Sequence, residues 1–243
     1  MKQRIITGVA MLVALLAVFY INSYLLNFFI LGVVLTFAFL ESLKLYQIEQ
    51  KSLVFIALAF YTLTLFTNPI FIALVAILIV ASVIAHIKSD NLKAVVPFVY
   101  PTTPIFLIWM LYSEYGIGYL AWLFLIVIAS DSGAYFVGKF FGKRPFSPSS
   151  PNKTLEGVFG GVAAGTIVGT IFGNFIIEGF TQIICASFLV ALFGVWGDLF
   201  ESYLKRLVDV KDSGNLFPGH GGMLDRIDGY LFGVIALLWT LSW

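Results

Sequence analysis

Cysteine and charge are both scarce in this sequence: one cysteine stands among 243 residues, and only 11% of the residues are charged. Cys185 has no Cys or His partner at metal-ligand spacing, so it reads as a small packing residue and says nothing about redox compartment. The net charge of +1 argues against a nucleic-acid partner, because holding a phosphate backbone takes a surplus of Lys and Arg to displace counterions. Common nucleotide loops are missing too. Between Gly138 and Arg144 the glycines are too close for a phosphate-binding loop and no Ser or Thr follows Lys143, while Gly116-Ile-Gly118 has no strand before it.

What fills the chain instead is apolar. Hydrophobic residues make up 60%, aromatics 17%, and the mean hydropathy is +0.99, far from the balance of a soluble domain. Several runs reach the roughly 20 residues that a helix needs to cross a bilayer. The expected fold is all-α and polytopic, with about nine transmembrane helices near 5–21, 24–43, 52–67, 69–86, 95–112, 117–138, 157–176, 180–204 and 222–242. The first run lacks a small-x-small cleavage site before Asn22, and a second run follows at once, so it reads as an uncleaved helix. Asn68-Pro69 divides the third run from the fourth, proline stopping one helix and opening the next.

Basic residues fix the expected orientation, since they accumulate in cytoplasmic loops. With a cytoplasmic N-terminus, alternate loops collect Lys2 and Arg4, Lys44 and Lys51, Lys88 and Lys93, the set Lys139, Lys143, Arg144 and Lys153, and finally Lys205, Arg206, Lys211 and Arg226. Those are all 14 basic residues. The opposite side then holds Asn22-Ser23, Asn68, Glu114, Glu178 and the C-terminal Trp243, with no basic residue.

Polar chemistry divides the chain unevenly. Residues 1–128 read as transmembrane scaffold, with short loops and no recognisable motif. Residues 129–243 read as a catalytic transmembrane region with two long loops, 139–156 and 205–221, dense in Gly, Pro, Ser, Lys and Asp. Between the loops, Gly157, Gly161, Gly165, Gly169 and Gly173 recur every four residues and place a smooth face on one helix, suited to close packing.

Two constellations carry chemistry. In the later one, Asp198, Glu201, Ser202 and Lys205 share a face of the eighth helix, and Asp225 and Asp228 share a face at the start of the ninth. Carboxylates at a membrane edge are costly unless paired or coordinating, and oxygen donors on neighbouring helices suit a hard divalent cation such as Mg²⁺. The basic neighbours Lys205, Arg206 and Arg226 also suit positive-inside anchors. His220, between Gly219 and Gly221, is open between phosphate binding, proton transfer and a simple turn. In the earlier constellation Asp131, Tyr135 and Gly138 share a helical face, and the following loop offers Lys139, Lys143, Arg144 and Lys153 to a polyphosphate or to anionic lipid.

At these positions the sequence resembles the phosphatidate cytidylyltransferases, the CDP-diacylglycerol synthase family. The family signature stands here as Ser202, Lys205, Arg206, Lys211, Asp212, Pro218, His220, Gly221, Gly222, Asp225, Arg226 and Asp228. Asp131-Ser-Gly-Ala-Tyr135 and Ser150-Pro-Asn-Lys153-Thr-Leu-Glu156-Gly157 resemble a second conserved block. The resemblance implies an α-helical membrane enzyme, a homodimer, in a bacterial inner membrane with its active site facing the cytoplasm. It also implies Mg²⁺ held at Asp198, Asp225 and Asp228, with a second cation as a variant of that site. The substrates implied are CTP and phosphatidic acid, bound by Asp131, Tyr135, Lys153, Ser202, Arg206, Lys211, Asp212, Gly221, Gly222 and Arg226, with Lys205 and His220 placed among the catalytic residues. A CTP-dependent lipid kinase and a membrane transporter are the competing readings.

Overall fold

The computed structural model describes residues 2–89 and 91–243, and of residues 2–5 only the backbone. Nine α-helices lie among the described residues, with one short β-hairpin. They are α1 (Lys2–Ile21), α2 (Tyr24–Leu45), α3 (Leu53–Leu63), α4 (Pro69–His86), α5 (Thr103–Met110), α6 (Ile117–Phe141), α7 (Leu155–Gly173), α8 (Phe180–Leu207) and α9 (Leu224–Leu241). Irregular helical turns extend α5 on both sides into a single span, Leu92–Tyr115. The hairpin pairs β1 (Pro145–Ser147) with β2 (Ser150–Thr154) antiparallel.

Among the described residues six helical segments are long and apolar enough to cross a membrane: α2, α4, the span around α5, α6, α7 and α8. α3 has 11 residues, about 16 Å at the α-helical rise, short of a hydrocarbon core about 30 Å thick. α9 carries Asp225, Arg226 and Asp228 in its first two turns, so its polar start dilutes an otherwise apolar helix. Along α4 the side chains of Phe71, Leu74, Leu78 and Val83 are all exposed, a surface that only lipid or another apolar body can cover. The chain is an integral membrane protein.

The helices fall into two compact units, one running up to Ser113 and including Val210–Arg226, the other comprising Glu114–Asp209 and Ile227–Trp243. Part of the core of the first unit is aromatic. Phe28 stacks on Tyr61 with ring centres 4.3 Å apart, and the fully buried Trp109 meets Tyr24 and Phe28 edge-on at 4.8 and 4.9 Å. Tyr61 satisfies its hydroxyl by donating to the Phe28 carbonyl at 3.0 Å. The start of α4 follows from sequence: Asn68 accepts from the Ile70 amide at 2.9 Å, and Pro69 occupies the first turn, where its missing N–H costs nothing.

In the second unit α7 lies between α6 and α8 along its glycine face, and all five glycines of the ladder are buried. A Cβ at Gly161 would stand 2.7 Å from the Ser130 carbonyl oxygen of α6, and one at Gly165 2.9 Å from Ala191 of α8. The four-residue repeat is thus a packing device, as its spacing suggested. Trp122 of α6 closes the far end by donating to the Gly169 carbonyl at 2.7 Å. α9 meets α8 the same way: Gly197 has no side chain where the Asp228 backbone passes, and Gly194 sits against Gly229.

Candidate active site

That close approach of α8 and α9 sets the position of the acids in the second unit. Asp228 follows Ile227 on α9 against Gly197, one residue before Asp198. The Asp228 carboxyl accepts from the Gly229 amide at 2.8 Å and lies within electrostatic reach of Glu201, Asp198 and Asp131. Glu201 is fully buried and faces the Lys205 ammonium at 3.4 Å, one turn along α8.

Lys153 enters the cluster from β2. The cap of α7 directs it there: Thr154 accepts from the Gly157 amide at 3.1 Å, so the chain turns from strand to helix immediately after Lys153. Its ammonium is ion-paired with the Asp198 carboxylate, whose other oxygen accepts from the Ser202 hydroxyl at 3.3 Å. The hairpin is held from its other end by Glu156, which accepts from the amides of Lys143 and Arg144 at 3.1 and 3.2 Å and from Arg144 Nε at 2.9 Å. A cavity of about 420 Å³ opens beside this ion pair, walled by α6, β2 and the first turn of α7. Asp131, Tyr135, Lys139, Lys153 and Asp198 all face it. Four carboxyl groups, of Asp131, Asp198, Glu201 and Asp228, thus share a neighbourhood with the ammonium groups of Lys139, Lys153 and Lys205, an excess of one acid.

The first unit contains the other signature residues. Gly219 and Gly221 flank His220 with φ of +79° and +84°, values that L side chains rarely adopt, and so the Gly-His-Gly sequence folds as a tight turn closed by Phe217 N to Gly221 O at 2.9 Å. Asp225 organises this loop: one of its oxygens accepts from the Ser213 amide and the Gly222 amide, both at 2.8 Å, and from the Ser213 hydroxyl at 2.9 Å. A second hollow, about 250 Å³, is lined by Lys211, Asp212, Asn215, Phe217, Pro218 and the two flanking glycines. His220 packs its ring towards Gly8 of α1. Arg226 and, on α8 in the second unit, Arg206 are exposed.

Oxygen is the donor throughout the acid cluster, and its negative charge exceeds the positive, which fits a hard divalent cation. Among the described residues no three His, Cys, Asp or Glu side chains converge as a ready-made ligand set, and Asp198 is paired with the Lys153 ammonium. Two further acids belong to these networks. Glu201 was placed by the sequence on the Asp198 face of α8, but its burial and its approach to Asp228 emerge only from packing. Glu41, on α2 in the supposed scaffold, is buried and bonded to the 213–224 segment; the sequence signal was a lone acid near the end of an apolar run.

Known proteins resemble this chain over nearly its whole length. The model of the Cytidylyltransferase family matches residues 2–242. Proteins named phosphatidate cytidylyltransferase from Helicobacter pylori strains J99 and 26695 are each 41% identical over 239 residues, which is 97% of this chain and 90% of theirs. A Bacillus subtilis (strain 168) protein of the same name is 43% identical over 134 residues, 54% of this chain and 49% of its own. Matched almost from end to end, the chain belongs to the cytidylyltransferase family.

Proposed function

We propose that this chain transfers the cytidylyl group of CTP to phosphatidic acid, giving CDP-diacylglycerol and pyrophosphate. The observation that carries this reading is the Lys153–Asp198 pair at a cavity beside Asp228 and Glu201, in a chain matched over nearly its whole length by relatives that bear the name of that reaction. A phosphate oxygen of phosphatidic acid attacks the α-phosphorus of CTP, and the bond from that phosphorus to the bridging oxygen breaks as pyrophosphate leaves. The attacking group needs little deprotonation, since a phosphate monoester with a second pKa near about 6 is largely dianionic at neutral pH.

The difficulty is to bring two polyanions together, and here the chain's cations act. Lys153, Lys205, Arg206, Lys211 and Arg226 neutralise phosphate charge, Tyr135, Ser202, Asp212, Gly221 and Gly222 shape the sites for substrate, and Asp131 sets polarity at the cavity wall. Asp198, Asp225 and Asp228 are the residues that would hold Mg²⁺, with a second cation beside it as a variant. Bound there, the ion would supply positive charge to the developing pyrophosphate. His220 belongs with Lys205 among the catalytic residues of this reading. Catalysis resides in residues 129–243, and residues 1–128 are scaffold.

The wider setting follows the same reading: nine membrane spans with a cytoplasmic N-terminus, a homodimer, and an active site facing the cytoplasm from a bacterial inner membrane. The partition of all 14 basic residues to one side supports that orientation. The test is to incubate purified protein with phosphatidic acid, Mg²⁺ and CTP labelled at either the α- or the γ-phosphorus. Label from the α position moves into lipid under this proposal. Transfer of the γ label would identify a CTP-dependent lipid kinase, and transfer of neither would refute the reading.

A further inference from the structure

Glu41 is the one acid of α2, a helix long and apolar enough to span the membrane, and it is only 6% exposed. A carboxylate in that setting is costly unless it is fully satisfied. Its two oxygens accept three hydrogen bonds, all from one distant segment: from the Ser213 hydroxyl at 2.9 Å, the Met223 amide at 2.9 Å and the Leu224 amide at 2.8 Å. Two of these donors belong to the start of α9. Helix starts leave amides without intrahelical partners, and a Ser, Thr, Asp or Asn just ahead of the helix normally accepts from them. Met223 occupies that place in α9 and has no side-chain oxygen to offer, so Glu41 caps the helix from 183 residues away.

The segment is built around this carboxylate. Gly214 and Gly222 carry no side chain where it passes, and a Cβ at either would run into it. Ser213 then ties it to Asp225, because the same hydroxyl lies 2.9 Å from an oxygen of each carboxylate. A hydroxyl has a single proton to donate, so Ser213 serves one of the two acids at a time, while the backbone amides of Ser213, Gly222, Met223 and Leu224 keep both in place.

We infer that Glu41 is a positioning residue for cytidylyl transfer, holding residues 213–224 and, through Ser213, the carboxylate of Asp225 in working order. This rests on the function proposed above. A purely structural cap could have been supplied locally by a polar residue at position 223, without placing an acid on a spanning helix. The carboxylate at 41 instead joins the helix start, the two close-packed glycines and a signature aspartate in one network.

The experiment compares wild type with Glu41→Gln and Ser213→Ala, purified in detergent, by melting temperature, kcat and KM for CTP, and amide hydrogen exchange over residues 213–224. Gln keeps the size of Glu but presents an N–H₂ where one acceptor stood, and Ser213→Ala removes the shared donor without touching α2. Both variants are expected to stay folded, to exchange the Met223 and Leu224 amides at least about tenfold faster (for Glu41→Gln), and to lose about tenfold or more in kcat with KM for CTP changed less, the scale of a hydrogen bond to a charged group. Glu41→Asp, one methylene shorter, should recover part of the kcat. Unchanged kcat per folded molecule in Glu41→Gln, or a loss matched only by a lower melting temperature, would overturn the inference. If wild type itself moves no cytidylyl group, the proposed function fails, while the exchange measurement still reports whether Glu41 holds the loop.

Discussion

Lys153→Ala separates catalytic from structural use of the acid cluster. The Lys153 and Asp198 side chains are 29% and 32% exposed, so their ion pair is screened and contributes at most about 1 kcal/mol to stability. Its removal should therefore shift the melting temperature by no more than about 2–4 °C. The effect on turnover is of another size. Asp131, Asp198, Glu201 and Asp228 would be left with the ammonium groups of Lys139 and Lys205, raising the excess of acids from one to two where the triphosphate is proposed to bind. Loss of a preorganised cation facing transition-state charge costs about 10²–10³ in rate. The assay measures transfer of α-labelled cytidylyl to lipid alongside a thermal melt in the same detergent, with Lys153→Arg as the charge-preserving control. The reasoning is refuted if Lys153→Ala keeps more than a tenth of wild-type kcat/KM, or if its activity falls only in step with the folded fraction.

Three further outcomes are expected. Gly161→Leu forces a side chain against the Ser130 carbonyl and Ala134 of α6, so it should destabilise the second unit by about 1–3 kcal/mol or prevent folding, read as a lower melting temperature or lost yield. Trp122→Phe removes the bond to the Gly169 carbonyl and leaves that oxygen buried, at a cost of about 1–2 kcal/mol by chemical or thermal denaturation with kcat per folded molecule unchanged. Glu156→Ala frees the amides of Lys143 and Arg144 and loosens the hairpin that presents Lys153, so KM for CTP should rise by roughly tenfold while the melting temperature hardly moves.

Much of the architecture was legible because the bilayer demands long apolar runs. The expected span 69–86 coincides with α4, and 24–43 and 180–204 fall within α2 and α8, which extend two and three residues further. The third run was read as 52–67 but the helix covers Leu53–Leu63: hydropathy does not distinguish an apolar helix from an apolar turn, and Asn68 needs extended backbone to cap α4. The 145–154 hairpin was hidden in a Pro- and Ser-rich segment read as loop, since its pairing depends on Glu156 and on strand contacts that periodicity does not encode. At the site, Asp131, Tyr135, Lys153 and Asp198 were each visible as polar residues out of place, and the structure gathers them at one cavity. Glu41 escaped because its partners lie 172 to 183 residues away, a distance at which no local pattern speaks.

The claim that matters most is that carboxylates of α8 and α9 hold a divalent cation for the nucleotide. Mn²⁺, standing in for Mg²⁺, makes it directly measurable by electron paramagnetic resonance on the purified protein with CTP present. Saturable Mn²⁺ binding in wild type, weakened at least about tenfold in both Asp198→Asn and Asp228→Asn while their melting temperatures hold, is the expected result. Equal Mn²⁺ affinity in wild type and both variants would contradict it.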